Sequence, residues 1–352
     1  MDDAIQFHID QAGFDKGLKC GTVNFFAGWV VNMNEKNPVD HVSFTVSNVL
    51  LGTLPINHDR PDLMNVYHTS LIGFWGAIMI PEEHLRSTLS VDAVASNGMH
   101  VHMKEYVLDD VVSLEEKEFT KRYNLPNGML RQLVVSNIDP YLFIQRGKEG
   151  VELMKRLSRK HRINIDSFSN ILDFGVGCGR IIRWWEDLSS RITFWGTDIN
   201  EQLIRWCKEN IPFGRFTVNN LHPPTQFEDN TFDLLYAFSI FTHLALNTQS
   251  EWLREFSRIL APQRYVIISV HGDADARLLS KESQERYLES GYVTISENAE
   301  GENMCATYQN KKISEQLFSE YFDVLDHVPA GRESTSKQDL YLLRKKREWD
   351  SK

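Results

Sequence analysis

One stretch limits what this chain can fold into more than any other: Asn170-Ile-Leu-Asp-Phe-Gly-Val-Gly-Cys-Gly-Arg180. A short apolar run of strand type ends in Asp173. Gly175, Gly177 and Gly179 then alternate with other residues ahead of the helix-like Ile181-Ile182-Arg183-Trp184-Trp185. Glycines at that spacing let a chain leave a parallel strand, turn sharply and enter a helix with its backbone bare against a ligand. A dinucleotide-binding turn spreads its glycines as G-x-G-x-x-G and sets a pyrophosphate at the helix N-terminus. Here the run is acidic-x-G-x-G-x-G, and the expected ligand is a nucleoside.

A ribose presents two hydroxyls that a carboxylate can accept, so a nucleoside site predicts an acid at the end of the next strand. Asp198 ends Ile192-Thr-Phe-Trp-Gly-Thr197 and lies nineteen positions beyond Gly179, close to the roughly 20-residue interval of a βαβ unit. Loop, helix and acid in that order carry more weight than the glycines alone. The competing reading makes the glycines a tight turn and Asp198 a cap for the helix starting near Asn200.

The chain has 352 residues, 42% hydrophobic and 24% charged, which predicts a globular protein of two domains. A net charge of −10 disfavours nucleic acid or an anionic membrane as the main partner, since both need a positive surface. Cys20, Cys178, Cys207 and Cys305 lack C-x-x-C spacing and predict reduced thiols rather than a zinc site or disulfides. Met1-Asp-Asp-Ala-Ile-Gln6 has neither a basic start nor an apolar core, and no apolar run approaches the roughly 18 residues of a membrane span. A cytoplasmic location is expected.

Residues 1–112 read as short strands between turn signals, among them Thr22–Val31, His41–Val46, Leu71–Trp75, Leu89–Val94 and Met99–Met103. Such spacing predicts an all-β sandwich. Through Ala27-Gly28-Trp29, Leu51-Gly52, Arg60-Pro61-Asp62 and Gly73-Phe74, the stretch resembles β-sandwich modules attached to bacterial and viral glycosyltransferases and methyltransferases. Its aromatics suit either stacking on sugar rings or ordinary core packing. Residues 113–164 turn helical, over Glu115–Arg122, Met129–Val135 and Tyr141–Arg159, and predict a linker or cap. Residues 165–352 alternate strands and helices and finish on two adjacent strand patterns, Phe322–Asp326 and Gln338–Leu343. That predicts an α/β, doubly wound Rossmann-like sheet with an antiparallel closing hairpin.

The glycine loop is similar to the one class I methyltransferases use to hold S-adenosylmethionine. His222-Pro-Pro224, Asp229-Asn-Thr-Phe-Asp233, Ser239-Ile-Phe-Thr-His-Leu244, Trp252-Leu253, Arg258-Ile-Leu260 and Val270-His-Gly272 follow in order. Over about residues 125–345 the chain thereby resembles a family of class I S-adenosylmethionine-dependent methyltransferases found with polysaccharide genes. It departs from that pattern at Ala261-Pro-Gln-Arg264, where the family has Lys-Pro-Gly-Gly. The resemblance implies that Asp173 and the loop Gly175, Val176, Gly177 and Gly179 hold the methionine end and ribose, and that Asp198 accepts the ribose hydroxyls. It implies Ile199 against adenine, Asn220 with the Leu221 backbone at the adenine amino group, and Phe238 and Ser239 beside the sulfonium. A turn-forming role for Asn220 is the alternative.

Methyl transfer to an alcohol needs the acceptor's proton removed, and a histidine suits that near neutral pH. Reacting groups of open α/β sheets gather at the carboxyl ends of the strands. His271, directly after the fifth strand, is the first candidate base and His243, shortly after the fourth, the second. His243 also reads as a helix-start residue packed under the cofactor loop. Asp273 and Asp275 are alternative ligands for Mg²⁺. Insertions such as Arg277–Gln309 form acceptor walls. The resulting expectation is an O-methyltransferase acting on a sugar hydroxyl of a glycan or nucleotide-sugar precursor. The alternatives are a small-molecule or lipid acceptor, or a non-catalytic glycan-binding scaffold.

Overall fold

The structure, a computed structural model, describes residues 5–12, 18–33, 36–60, 63, 67, 71–108, 110–301, 305–330 and 338–347. Residues 1–4 of the N-terminal stretch and the Pro61-Asp62 part of the sandwich motif lie outside the described residues. The chain divides into two compact units, Met1–Phe143 and Ile144–Lys352.

In the first unit, period-2 alternation builds two four-stranded antiparallel sheets. Phe26, Val30, Phe74 and Ile78 of one sheet and Val42, Phe44, Leu89 and Val91 of the other share a single core. Three strands missing from the sequence reading complete the sheets, Ile5–Ala12, Val49–Pro55 and His58–Asp59. Trp75 packs on Phe25 and His58, and Trp29 on Tyr67, with ring centroids 5.0–5.6 Å apart. The helices Leu114–Arg122 and Gly128–Val135 follow, capped by the side chains of Ser113 and Asn127.

The second unit holds a seven-stranded sheet: β1 (Asn170–Phe174), β2 (Thr193–Asp198), β3 (Gly214–Val218), β4 (Phe232–Ala237), β5 (Leu260–Val270), β6 (Phe322–Val328) and β7 (Asp339–Lys345). Its order is β3-β2-β1-β4-β5-β7-β6. β1 to β5 are parallel, and β7 runs antiparallel to both β5 and β6. The central strands read as nearly unbroken apolar runs because both sheet faces are covered. Ile171, Phe194, Leu234 and Tyr236 face a core that includes Trp185 and Ile204, and Leu172, Phe174, Leu235 and Val266 face one with Trp252 and Phe256. No described helix is long and apolar enough to cross a membrane.

After the glycine loop the chain forms a 3-10 helix, Ile182–Leu188, where the sequence suggests ordinary helix. The Arg183 guanidinium donates to the Gly179 carbonyl at 3.0 Å, so the acceptor of the first helical turn is shared with the Arg183 amide at 3.4 Å.

At the departure Ala261–Arg264 the strand continues through Gln263, which takes φ 61°. Arg264 reaches Asp233 at 2.9 Å, and the other Asp233 oxygen accepts the Ser169 and Asn170 amides at 2.7 and 3.2 Å. Asp233 thus pins the start of β1 to β4. Replacing it with alanine strands two amides and a guanidinium. Asp233→Ala is expected to cost about 2–3 kcal/mol. Arg264→Ala should cost less, since Arg264 is 37% exposed and its partner keeps both amides. An unchanged urea midpoint for Asp233→Ala would remove this role.

Candidate active site

β1 lies between β2 and β4, so its end opens at the middle of the sheet's carboxyl edge. There Gly175, Gly177 and Gly179 take φ of 74°, 57° and 72°, the left-handed region that side chains rarely adopt. Space forbids side chains as well: a Cβ on Gly175 would lie 2.0 Å from Ile240 Cδ1, and one on Gly179 would lie 2.1 Å from Ile211 Cδ1.

The end of β2 holds this loop in place. The Thr197 carbonyl accepts the Gly175 and Val176 amides, each at 2.8 Å, and Asp198 Oδ2 accepts the Gly177 amide at 2.9 Å. Asp198 Oδ1 accepts the Asn200 amide at 2.9 Å. The cap of the helix Glu201–Asn210 is the Asn200 side chain, which accepts the Gln202 and Leu203 amides. A carboxylate has about four acceptor positions, so Asp198 retains capacity for further donors. Burial raises its pKa, and the amides of Asn200 and Gly177 oppose that rise.

Asp173 is buried at the base of the loop. Burial pushes its pKa up to about 7, against the Tyr236 hydroxyl and the Arg180 charge, which favour the ionised form. Neither Tyr236 nor Arg180 is evident as a site residue from the sequence; only their places, at the end of β4 and directly after the glycines, could have flagged them.

Ile199 is 41% exposed beyond Asp198. Asn220 is exposed, its carbonyl taken by the Asn219 side chain, and the Leu221 carbonyl accepts Trp252 Nε1 at 2.9 Å. Thr197, Thr217, Asn219, Asn220 and Gln226 are among the residues lining a cavity of about 220 Å³ at the ends of β2 and β3. Two buried atoms there, Thr197 Oγ1 and Asn219 Oδ1, have no hydrogen-bond partner. Phe238 is buried. The Ser239 amide donates to Ser269 Oγ at 2.7 Å, and both serine hydroxyls donate to Gln338 Oε1, which ties the ends of β4, β5 and β7 together.

His271 leaves β5 with its Nδ1 2.7 Å from Asp275 Oδ2, and Asp275 is buried. The ring stacks on Tyr308 at 4.7 Å and 18°. An ionised carboxylate can only accept, so Nδ1 carries the hydrogen, and in a neutral ring Nε2 then holds the lone pair. The i,i+4 spacing of His271 and Asp275 is the sequence signal for this pair. His243 places Nδ1 2.7 Å from the Cys305 carbonyl. Burial lowers its pKa, the Cys305 bond opposes that, and a proton on His271 adds to the lowering. Asp273 accepts the Tyr287 hydroxyl at 2.7 Å. Asp273 and Asp275, read from sequence as possible Mg²⁺ ligands, are therefore engaged by Tyr287 and His271. No group of three His, Cys, Asp or Glu suited to a metal occurs among the described residues, and Mg²⁺ is unsupported.

A family model described as "Methyltransferase domain" matches residues 172–268, from β1 into β5. Among solved structures, a SAM-dependent methyltransferase from Methanosarcina mazei is similar at 21% identity over 53% of this chain and 97% of that one, with a TM-score of 0.40. A protein from Pyrococcus horikoshii is similar at 21% identity over 56% and 91%, TM-score 0.42. An S-adenosylmethionine-dependent methyltransferase from Clostridium acetobutylicum is similar at 11% identity over 65% and 98%, TM-score 0.42. The family match supports methyl transfer as the class of activity.

A carboxyl whose pKa is raised on folding binds its proton more tightly in the folded chain. Its ionisation therefore subtracts stability as pH rises from about 4 toward 7. Asp173→Asn is expected to remove that slope and to gain on the order of 2 kcal/mol at pH 8. The same variant should bind S-adenosylhomocysteine more weakly, because a buried carboxylate suits an ammonium and an amide does not. Thermal unfolding at pH 5 and 8, with calorimetric titration, checks both; an unchanged pH slope would contradict the assignment.

Proposed function

We propose that this chain is an S-adenosylmethionine-dependent O-methyltransferase whose acceptor is a sugar hydroxyl of a glycan or nucleotide-sugar precursor. The observation that carries the reading is the His271–Asp275 pair at the carboxyl end of β5, where an alcohol acceptor needs a base. The edge suits the cofactor's chemistry. Asp173 offers a buried carboxyl to an ammonium. Asp198 has acceptor capacity for ribose hydroxyls, and Thr197 Oγ1 and Asn219 Oδ1 await polar partners. In this reading Ile199 lies against the adenine, Asn220 with the Leu221 backbone meets its amino group, and Phe238 and Ser239 border the sulfonium.

When bound, S-adenosylmethionine supplies a methyl group made electrophilic by a sulfonium. The chain's part is to position the acceptor, exclude water and take one proton. His271 Nε2 takes the proton from the acceptor hydroxyl while Asp275 holds the Nδ1 hydrogen and offsets the imidazolium charge. His243 ranks second because its Nδ1 partner is a neutral carbonyl, which stabilises a positive ring less than a carboxylate does. The neighbours of His271 are polar. Asp273 pairs with Tyr287, and Asp339 with His327 at 2.8 Å, a setting that suits a polyhydroxylated acceptor better than an acyl chain.

Residues 1–112 serve in this reading as a β-sandwich accessory module for carbohydrate, with residues 113–164 as a helical cap. The four cysteines, all buried and outside any disulfide among the described residues, suit a cytoplasmic site of action.

Mass spectrometry of surface polysaccharide, with and without the active protein, tests the acceptor: a sugar should gain one methyl in its presence. With that acceptor, His271→Ala should lose about 10²–10⁴-fold in turnover and keep S-adenosylhomocysteine affinity within about twofold, with Asp275→Asn falling in between. Near-normal turnover of His271→Ala would sink the base assignment, and methylation confined to lipids or small alcohols would sink the sugar assignment.

A further inference from the structure

We infer that the insertion between β5 and β6 forms part of the cofactor site at its adenine end, and that His243 is the positioning residue that fastens it there. The inference rests on the cofactor reading above. Three hydrogen bonds join described residues of the insertion to the short segment His243–Ala245. The Gly301 amide donates to the His243 carbonyl at 2.9 Å, His243 Nδ1 donates to the Cys305 carbonyl at 2.7 Å, and Glu300 Oε1 accepts the Ala245 amide at 2.7 Å. His243 supplies two of the three, one from its backbone and one from its ring.

These bonds set Gly301 down on particular side chains. A Cβ built on Gly301 would lie 2.8 Å from Leu221 Cδ1 and 3.2 Å from Ile199 Cδ1, and Gly301 holds φ 86°. Only glycine lets backbone come this close in that conformation. In the cofactor reading Ile199 lies against the adenine and Leu221 contributes its backbone at the adenine amino group. The insertion's backbone at Gly301 therefore borders the adenine end of that reading.

His243 suits fastening better than proton transfer. Its Nδ1 hydrogen is committed to a backbone carbonyl, and burial disfavours a positive ring. A neutral imidazole keeps the Cys305 bond without bringing a charge under the cofactor. The tightness of cofactor binding then depends on Glu300, Gly301 and Cys305 as well as on the sheet edge.

The full chain with S-adenosylhomocysteine provides the test, by calorimetric titration and by hydrogen exchange. In the wild type, saturating ligand should slow exchange of the Gly301 amide. Glu300→Ala and His243→Ala should each weaken affinity about tenfold, and Gly301→Val more. His243→Asn offers an amide hydrogen near the position of Nδ1 and should restore affinity to within about threefold of wild type. Unaltered Gly301 exchange in the saturated wild type, or affinities within about twofold of wild type in all the weakening variants, overturns the inference while leaving the cofactor reading intact. Failure of the wild type to bind S-adenosylhomocysteine at all would overturn the cofactor reading, and this inference with it.

Discussion

Two neighbouring residues at the end of β2, Thr197 and Asp198, hold three amides of the glycine loop, and the arrangement of the sheet's carboxyl edge depends on that grip. Three consecutive residues with left-handed glycines on either side have no regular secondary structure to satisfy their amides, and an unpaired buried amide costs on the order of 1–3 kcal/mol. The parallel register that places Phe174 beside Thr197 meets that need. A slip of one residue between β1 and β2 would turn Asp198 to the opposite face and leave the loop without its template. The fold thus fixes the glycine loop through pairing that extends well below it, down to Asp233 at the foot of β1.

The same edge is incompletely satisfied. Asp173 is held in a burial that favours its neutral form, and Thr197 Oγ1 and Asn219 Oδ1 are buried without partners. Native interiors contain few such groups, and they concentrate where something else binds. In the proposed reading a zwitterionic nucleoside carries the matching chemistry: an ammonium for the carboxyl, hydroxyls for Asp198, and ring nitrogens and an amino group for the polar end of β3. Stability given up in the free protein becomes binding energy when those partners arrive.

The sheet was legible because its signals are redundant. Glycines at a strand end, an acid one βαβ interval later and doubly buried apolar runs all predict the same layout, and β1 to β5 with the closing β6–β7 hairpin lie where that pattern puts them. Ile5–Ala12 alternates apolar and polar residues strictly from Ile5 to Asp10, a legible strand signal that the sequence reading passed over. The insertion's own hairpin, Tyr292–Ile295 with Ala306–Gln309, has strands of four residues, too short for period 2 to stand out from chance. The 3-10 start after the loop was hidden because it depends on one arginine reaching back to Gly179. At the candidate site, the residues named from sequence do come to the carboxyl edge. What sequence did not reveal are contacts made by backbone: the Cys305 carbonyl under His243 and the Gly301 amide above it depend on no side-chain pattern.

That difference bears on the two histidines. Both direct Nδ1 at an oxygen 2.7 Å away, and both keep Nε2 as the acceptor. Distance and tautomer cannot separate them, but the charge of the partner can. Taking a proton makes the ring positive, and a carboxylate gains attraction as that charge appears whereas a carbonyl gains little. Charge-assisted hydrogen bonds are roughly twice as strong as neutral ones, and His271 and His243 are both partly buried. Asp275 is itself buried, so its charge is screened little. The position beside the carboxylate therefore suits proton transfer, and the position beside the carbonyl suits holding a neighbouring segment still.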